Sequence, residues 1–124
     1  MSSGGGSSPT PNRTCTGTLT TSQRLVLVGT QYSLNGANWT TTPPTSVPAG
    51  SNAATVFVAN GQTPDGKVTY QADDGTQFIL QFTMNGTNSA NILGVGGTAS
   101  SYNYNRTFPT AGDTITVAFT LSNS

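Results

Sequence analysis

A chain of 124 residues is the length of one ordinary domain, and a domain of this size can bury a core without a metal ion or a disulfide. Only 6% of its residues are charged, its Lys and Arg residues balance its acidic residues four to four, and it has no His. The lack of His excludes the Ser-His-Asp and Cys-His catalytic systems, and the lack of a basic stripe argues against a nucleic-acid partner. We therefore expect a protein that is not an enzyme and that needs no cofactor.

The start of the chain differs in composition from the rest. Residues 1–14 are rich in Gly, Ser and Pro, which predicts a flexible N-terminal segment ahead of a single domain at 15–124. No apolar stretch resembles the core of a signal peptide, and none reaches the roughly 20 residues of a membrane-spanning helix. We expect either release outside the cell by another route or a cytoplasmic inclusion. The single cysteine, Cys15, is expected to be a partly buried thiol, with an intermolecular bridge or a reactive thiol as the alternatives.

Alternating apolar side chains predict strands along the remainder of the chain. The pattern is clearest at 76–84 and at 113–121, where the polar face of the second segment is almost wholly Thr. Two segments are apolar on both faces, which indicates central strands, and they lie at 25–28 and 53–59. Further strands are predicted near Leu19 and at 67–71, 91–95 and 101–107. No window has a helical period, so the predicted fold is an all-β, antiparallel β-sandwich of roughly eight strands.

Asn-Gly and Asp-Gly dipeptides predict tight turns, because Asn, Asp and Gly tolerate positive φ. They occur at Asn35-Gly36, Asn60-Gly61, Asp65-Gly66, Asp74-Gly75 and Asn85-Gly86. The clearest hairpin is predicted across Asp73-Asp74-Gly75. A turn role is expected for Asp73 and Asp74, with calcium binding as an alternative that would need several more oxygen ligands.

Three aromatic residues are candidate ligand contacts. Trp39 is the only tryptophan and is predicted to lie in a loop, where it could contact a sugar or a lipid headgroup or could pack against one end of the sandwich. Tyr102 and Tyr104 are two residues apart on a predicted strand, so they share one face. They form either an aromatic contact patch or a cross-strand core pair.

The order of several short motifs resembles that of the aegerolysin proteins, and especially the small component of bacterial two-component insecticidal toxins. The residues that carry the resemblance are Trp39 with Pro43-Pro44, then 47–50, 57–61, 66–70, 77–82, 86–89, Gly112-Asp113 and 116–120. The resemblance implies a compact β-sandwich that recognises membrane lipid or a cell surface, without catalysis or a cofactor. It also implies that pore formation depends on a larger partner protein.

Three functions remain open from the sequence. The first is a lipid-binding or receptor-binding domain that works with a pore-forming partner through Trp39, Tyr102 and Tyr104. The second is a self-assembling filament, crystal or coat subunit, because a net charge of zero leaves little repulsion between copies. The third is a carbohydrate-binding, lectin-like module, because Asn, Thr and Asp side chains beside one aromatic ring suit sugar hydroxyls.

Overall fold

The structure, a computed structural model, describes residues 12–96 and 98–123, and most of them belong to eight strands. The strands are β1 (Arg13–Thr21), β2 (Leu25–Thr41), β3 (Ser46–Val47), β4 (Ser51–Ala72), β5 (Gln77–Met84), β6 (Asn88–Val95), β7 (Tyr102–Thr107) and β8 (Thr114–Asn123). One short 3₁₀ turn, Ala99–Ser101, precedes β7. The prediction of an all-β sandwich of about eight strands is confirmed.

The long strand β4 belongs to both layers of the sandwich. It pairs with β2 on one side, and on the other side its first half pairs with β1 and its second half with β5. One layer therefore continues through β1, β8 and β7, and the other continues through β5 and β6. The switch between partners falls at residues 62–64, and Pro64 is tolerated there because neither β1 nor β5 pairs with it.

Aromatic rings from both layers meet in the core. Phe57 on β4 stacks on Phe82 of β5 at a centroid distance of 4.7 Å and lies 6.4 Å from Phe119 of β8. All three side chains are almost fully buried. Burial of each ring stabilises the fold by about 1.5–3 kcal/mol relative to exposure. The strands supply these rings at alternate positions, as the period-two patterns of β5 and β8 predict.

The first and last strands are parallel, which corrects the prediction of a wholly antiparallel sandwich. β1 and β8 pair in register from Thr14 opposite Thr114 to Thr21 opposite Leu121. Local alternation cannot specify the direction of a partner about 100 positions away, and this pair forms only when the chain closes around the core. The outer face of the pair bears threonines on both strands, as the sequence predicts for β8.

Several dipeptides expected to form turns lie inside strands. Asn60-Gly61 and Asp65-Gly66 are within β4, and Asn35-Gly36 is within β2. A Cβ atom at Gly61 would overlap the Cα of Ala37, and one at Gly66 would lie 2.7 Å from the ring of Phe82. Glycine is therefore needed at these two positions because neighbouring residues pack against the backbone there. The dipeptide alone does not distinguish this role from a turn.

Two of the predicted turns are confirmed. The Asp73-Asp74-Gly75 turn joins β4 to β5, with Gly75 at a φ of 90° and its amide bonded to the carbonyl of Ala72 at 2.9 Å. The Asn85-Gly86 turn joins β5 to β6, with Gly86 at a φ of 111°. In both cases the dipeptide interrupts an alternating pattern, which is the context that a hairpin requires.

The N-terminal boundary lies slightly earlier than the sequence suggests. Arg13 and Thr14 belong to β1, where they pair with Gly61 and Asn60. The Arg13 guanidinium bonds the carbonyl of Gln62 and contacts Asp113 at 3.4 Å. These contacts place both residues in the folded domain, and residues 1–11 of the predicted flexible segment lie outside the described residues.

Candidate functional site

Trp39 lies in strand β2, which corrects its predicted place in a loop. Its half-buried ring packs edge-on against Phe57 and Phe82, at centroid distances of 5.7 and 6.3 Å, and lies 6.3 Å from Tyr32. The Asn-Gly dipeptide before it forms a bulge rather than a turn, so the strand continues through Trp39. The ring is therefore part of the edge of the core.

Tyr102 and Tyr104 share one face of β7, and both pack on Phe78. Their rings lie 5.1 and 5.7 Å from that of Phe78, in edge-to-face arrangements. Tyr102 is buried, whereas Tyr104 remains 36% exposed. The structure thus brings these two predicted contact residues together and places them apart from Trp39, whose ring partners are a different set.

A hydrogen-bonded cluster surrounds Asp74 at the hairpin turn. Its Oδ2 atom accepts hydrogen bonds from the hydroxyls of Tyr102 at 2.6 Å and Thr98 at 3.0 Å, and its Oδ1 atom accepts one from the Thr76 amide at 3.0 Å. The hydroxyls of Thr76 and Thr98 also bond each other. This cluster ties the β4–β5 turn to the start of β7.

The same bonds set the protonation states of the cluster. The Tyr102 hydroxyl, with further help from Thr76 and Thr98, lowers the pKa of Asp74 to about 2, so its carboxylate is ionised at neutral pH. The Asp74 carboxylate in turn raises the pKa of Tyr102 to about 12, so Tyr102 keeps its proton. The Asp74 carboxylate is therefore held in its ionised form, and most of its lone pairs already accept hydrogen bonds.

A polar cleft of about 500 Å³ lies along β7 and β8, and we call it the β7 cleft. Cross-strand neighbours Asn103 and Ser122 line it, together with Asn105 and Thr120. The remaining lining residues are Ala99, Ser100, Tyr102 and Tyr104. None of the lining residues is charged, so the cleft presents only amide, hydroxyl and aromatic groups.

Several polar atoms in the β7 cleft have no hydrogen-bonding partner among the described residues. Within 12–96 and 98–123, the side chains of Asn103 and Ser122 have no hydrogen-bonding partner. The Oδ1 atom of Asn105 accepts a bond from the Arg106 amide at 2.8 Å, which leaves its NH₂ group available. The cleft therefore offers both donors and acceptors to a ligand.

A second cleft of about 550 Å³ adjoins the Asp74 cluster. It is lined by Gln23, Asp73, Asp74, Thr98, Ser101, Tyr102 and Asn123. Tyr102 lines both clefts, and Ser122 and Asn123 are consecutive residues of β8 that face one cleft each. The two clefts therefore lie next to each other at the same end of the sandwich.

Four residues of the β7 cleft were not predicted from the sequence, namely Asn103, Asn105, Thr120 and Ser122. The Tyr-Asn-Tyr-Asn alternation of 102–105 contained a usable signal, because two tyrosines on one face of a strand place two amides on the other. The partners on β8 could not be found in this way, because they depend on the register of the β7–β8 pair.

Metal-binding and membrane-spanning features are scarce in the described part of the chain. Residues 12–96 and 98–123 contain no group of three or more His, Cys, Asp or Glu residues placed to hold a metal ion. No helix among them has the length and apolar character needed to cross a membrane.

Comparison with known proteins finds similarity at the level of the fold. No family model matches the chain, and no curated protein is significantly similar to it in sequence. Among solved structures, the chain is similar to the wild-type lectin of Xerocomus chrysenteron, with a TM-score of 0.62, 6% identity, and coverage of 90% of this chain and 100% of the lectin. A variant of that lectin with methionine substitutions gives a TM-score of 0.64, 8% identity and coverage of 92% and 100%.

These comparisons support the β-sandwich that the aegerolysin resemblance implies, and they provide no support for a toxin component. The architecture is shared with a lectin along almost the whole chain, although few residues are identical. At this level of identity the likeness shows the fold alone.

Proposed function

We propose that this chain is a non-enzymatic carbohydrate-binding domain and that the sugar occupies the β7 cleft. The observation that carries the proposal is the set of unused amide and hydroxyl groups on Asn103, Asn105 and Ser122, held in an uncharged cleft. Sugar hydroxyls donate and accept hydrogen bonds at once, and amide and hydroxyl side chains can satisfy both roles.

The placement of these groups on paired strands favours binding. Asn103 lies opposite Ser122 and Asn105 lies opposite Thr120, so the ladder between β7 and β8 sets their spacing before a ligand arrives. A preorganised site loses less conformational entropy on binding than a loop site does. The ring of Tyr104 packs on Phe78 on the opposite face of β7, so the amide and hydroxyl groups alone carry the proposal.

The fold likeness supports the same proposal from a separate direction. The structures that this chain resembles are of a protein named as a lectin, and the likeness covers about nine-tenths of the chain. At 6–8% identity the support comes from the architecture and not from matched residues.

The membrane-lipid hypothesis, with a larger pore-forming partner, stays a prediction. Of its three predicted contact residues, Trp39 has a ring that packs against Phe57 and Phe82 and is only partly available to a headgroup. We therefore place carbohydrate binding first and treat lipid binding as an alternative outcome of the same experiment.

The test is a screen of the purified chain on a broad array of immobilised glycans, followed by calorimetry with the best soluble glycan. We expect Asn103→Ala to weaken binding by roughly tenfold or more, because the substitution removes two hydrogen-bonding groups without disturbing a described contact. Thr116→Ala is the matched control, since Thr116 is an exposed residue of β8 outside the cleft.

Two results would overturn the proposal. One is a blank array from a sample whose circular dichroism shows it to be folded. The other is glycan binding that Asn103→Ala and Asn105→Ala both leave unchanged. Binding to phosphatidylcholine or sphingomyelin vesicles together with a blank array would favour the lipid alternative.

A further inference from the structure

Apolar side chains cluster among Gln and Thr residues on one half of one outer sheet face, on a surface otherwise rich in Thr, Ser and Asn. Of the four large hydrophobic side chains that are exposed in the described residues, three lie on this face: Val26 at 37%, Leu93 at 40% and Val95 at 49%. The half-buried Ile79 lies between them on β5. We call this surface the β2–β6 apolar face.

The pairing register shows that these residues form a continuous surface across four strands. One row runs from Val26 through Gln71 and Gln77 to Val95. The next row contains Thr69, Ile79 and Leu93 in direct cross-strand contact. The Thr69 side chain is only 2% exposed, so its neighbours already exclude water from the middle of the face.

Each end of this face carries one cationic and one anionic side chain. At one end Arg24 and Asp73 form an ion pair at 3.0 Å. At the other end Lys67 and Asp65 occupy alternate positions of β4 on the same face. No charged residue lies in the two rows between these ends.

We propose that the β2–β6 apolar face docks against the same face of a second copy of this chain. A two-fold axis in the plane of the contact and perpendicular to the strands would set the Lys67–Asp65 end of one copy over the Arg24–Asp73 end of the other, so charges of both signs would meet at each end. The apolar rows would then pack against each other, as inner sheet faces do in a sandwich.

The charge pattern fits a second copy better than a membrane. An anionic lipid surface attracts clustered Lys and Arg, whereas each end of this face also carries an Asp. A net charge of zero also leaves little repulsion between copies.

The size of the face sets the expected strength of the association. Four strands about 4.8 Å apart and some seven residues long, at about 3.3 Å each, give a face of roughly 19 by 23 Å. Stable complexes bury about 800 Å² per partner, so we expect a weak, concentration-dependent dimer with a dissociation constant above about 1 μM.

Sedimentation velocity of the full chain from about 10 μM to about 1 mM tests the proposal. We expect the wild-type chain to shift from monomer to dimer, and Leu93→Lys to remain monomeric across the range because it buries a charge in the contact. Thr116→Lys is the matched control on the opposite sheet and should dimerise like the wild type. Val95→Lys, at the most exposed position of the face, repeats the test if Leu93→Lys fails to fold.

Three outcomes would overturn the proposal. A wild-type chain that stays monomeric at the highest concentration contradicts it directly. Dimers that form equally well in Leu93→Lys and Val95→Lys would place the contact elsewhere. A monomer that binds neutral phosphatidylcholine vesicles, and that loses this binding in Leu93→Lys, would assign the face to a membrane.

Discussion

The hydroxyl of Tyr102 donates a 2.6 Å hydrogen bond to Oδ2 of Asp74, and this single bond joins the start of β7 to the β4–β5 hairpin turn. The two residues come from opposite layers of the sandwich, and each changes the proton affinity of the other. The bond therefore fixes the wall that separates the β7 cleft from the cleft beside Asp74.

Removal of this bond should loosen that wall. We expect Tyr102→Phe to lower the melting temperature, because the ring still packs on Phe78 while the carboxylate loses its shortest hydrogen bond. Thermal unfolding followed by circular dichroism measures the change. Tyr104→Phe is the control, since the Tyr104 hydroxyl takes no part in the Asp74 cluster, and an equal loss in both variants would contradict this account.

The stability of the fold should depend on pH through the ionisation of Asp74. Its pKa is lowered in the folded chain from 3.8 to about 2, so its contribution to stability is present above the unfolded pKa and is lost as the pH falls towards 2. We expect the melting temperatures of the wild type and Tyr102→Phe to differ at pH 7 and to converge near pH 2. A constant difference across that range would show that the bond does not depend on the carboxylate charge.

Cys15 should be inert in the folded chain. Its side chain is fully buried, and burial raises the pKa of its thiol to about 12, so almost no thiolate forms at pH 8. We expect no reaction with a thiol reagent at pH 8 under native conditions and complete reaction in guanidinium chloride. Rapid native labelling, or a disulfide-linked dimer on a non-reducing gel, would contradict the buried position.

Gly17 should tolerate no side chain while Phe57 remains in place. A Cβ atom at Gly17 would overlap the Phe57 ring, which is held between Trp39 and Phe82. We expect Gly17→Ala to destabilise the fold by about 1–3 kcal/mol, as overpacked cores do. In Gly17→Ala combined with Phe57→Leu, the clash is relieved, so the double variant should lose less than the sum of the two single changes. Strict additivity in denaturant unfolding would rule out the contact.

Gly94 should matter for the position of Tyr104 and for the stability of the fold. A Cβ atom at Gly94 would lie 2.9 Å from the Tyr104 hydroxyl, which now occupies that space. We expect Gly94→Ala to displace the ring and to lower the melting temperature, which thermal unfolding followed by circular dichroism measures. Gly29→Ala is a matched control, because nothing lies within 4 Å of a Cβ atom there. Equal effects of both substitutions would contradict a role for the ring.

The sequence predicted those features that depend on neighbours along one strand. The alternation in β5 and β8, the shared face of Tyr102 and Tyr104 and the Asp73-Asp74-Gly75 hairpin all follow from local patterns. The 22-residue strand β4 was wrongly predicted as separate strands, because Asn-Gly and Asp-Gly dipeptides usually indicate turns. Here Gly61 and Gly66 instead leave room for neighbouring residues that pack against the strand. The partners of the β7 cleft and of Asp74 were missed because they depend on contacts between distant strands.

The parallel pairing of β1 with β8 has a mechanical consequence. Because these neighbouring strands run in the same direction, residue 12 and residue 123 lie at opposite ends of one hydrogen-bonded ladder. Tension applied between those residues would slide the two strands lengthwise and load all of the ladder bonds at once, instead of opening them one after another. A domain that is stretched in this shearing geometry resists force strongly, because many hydrogen bonds must break together.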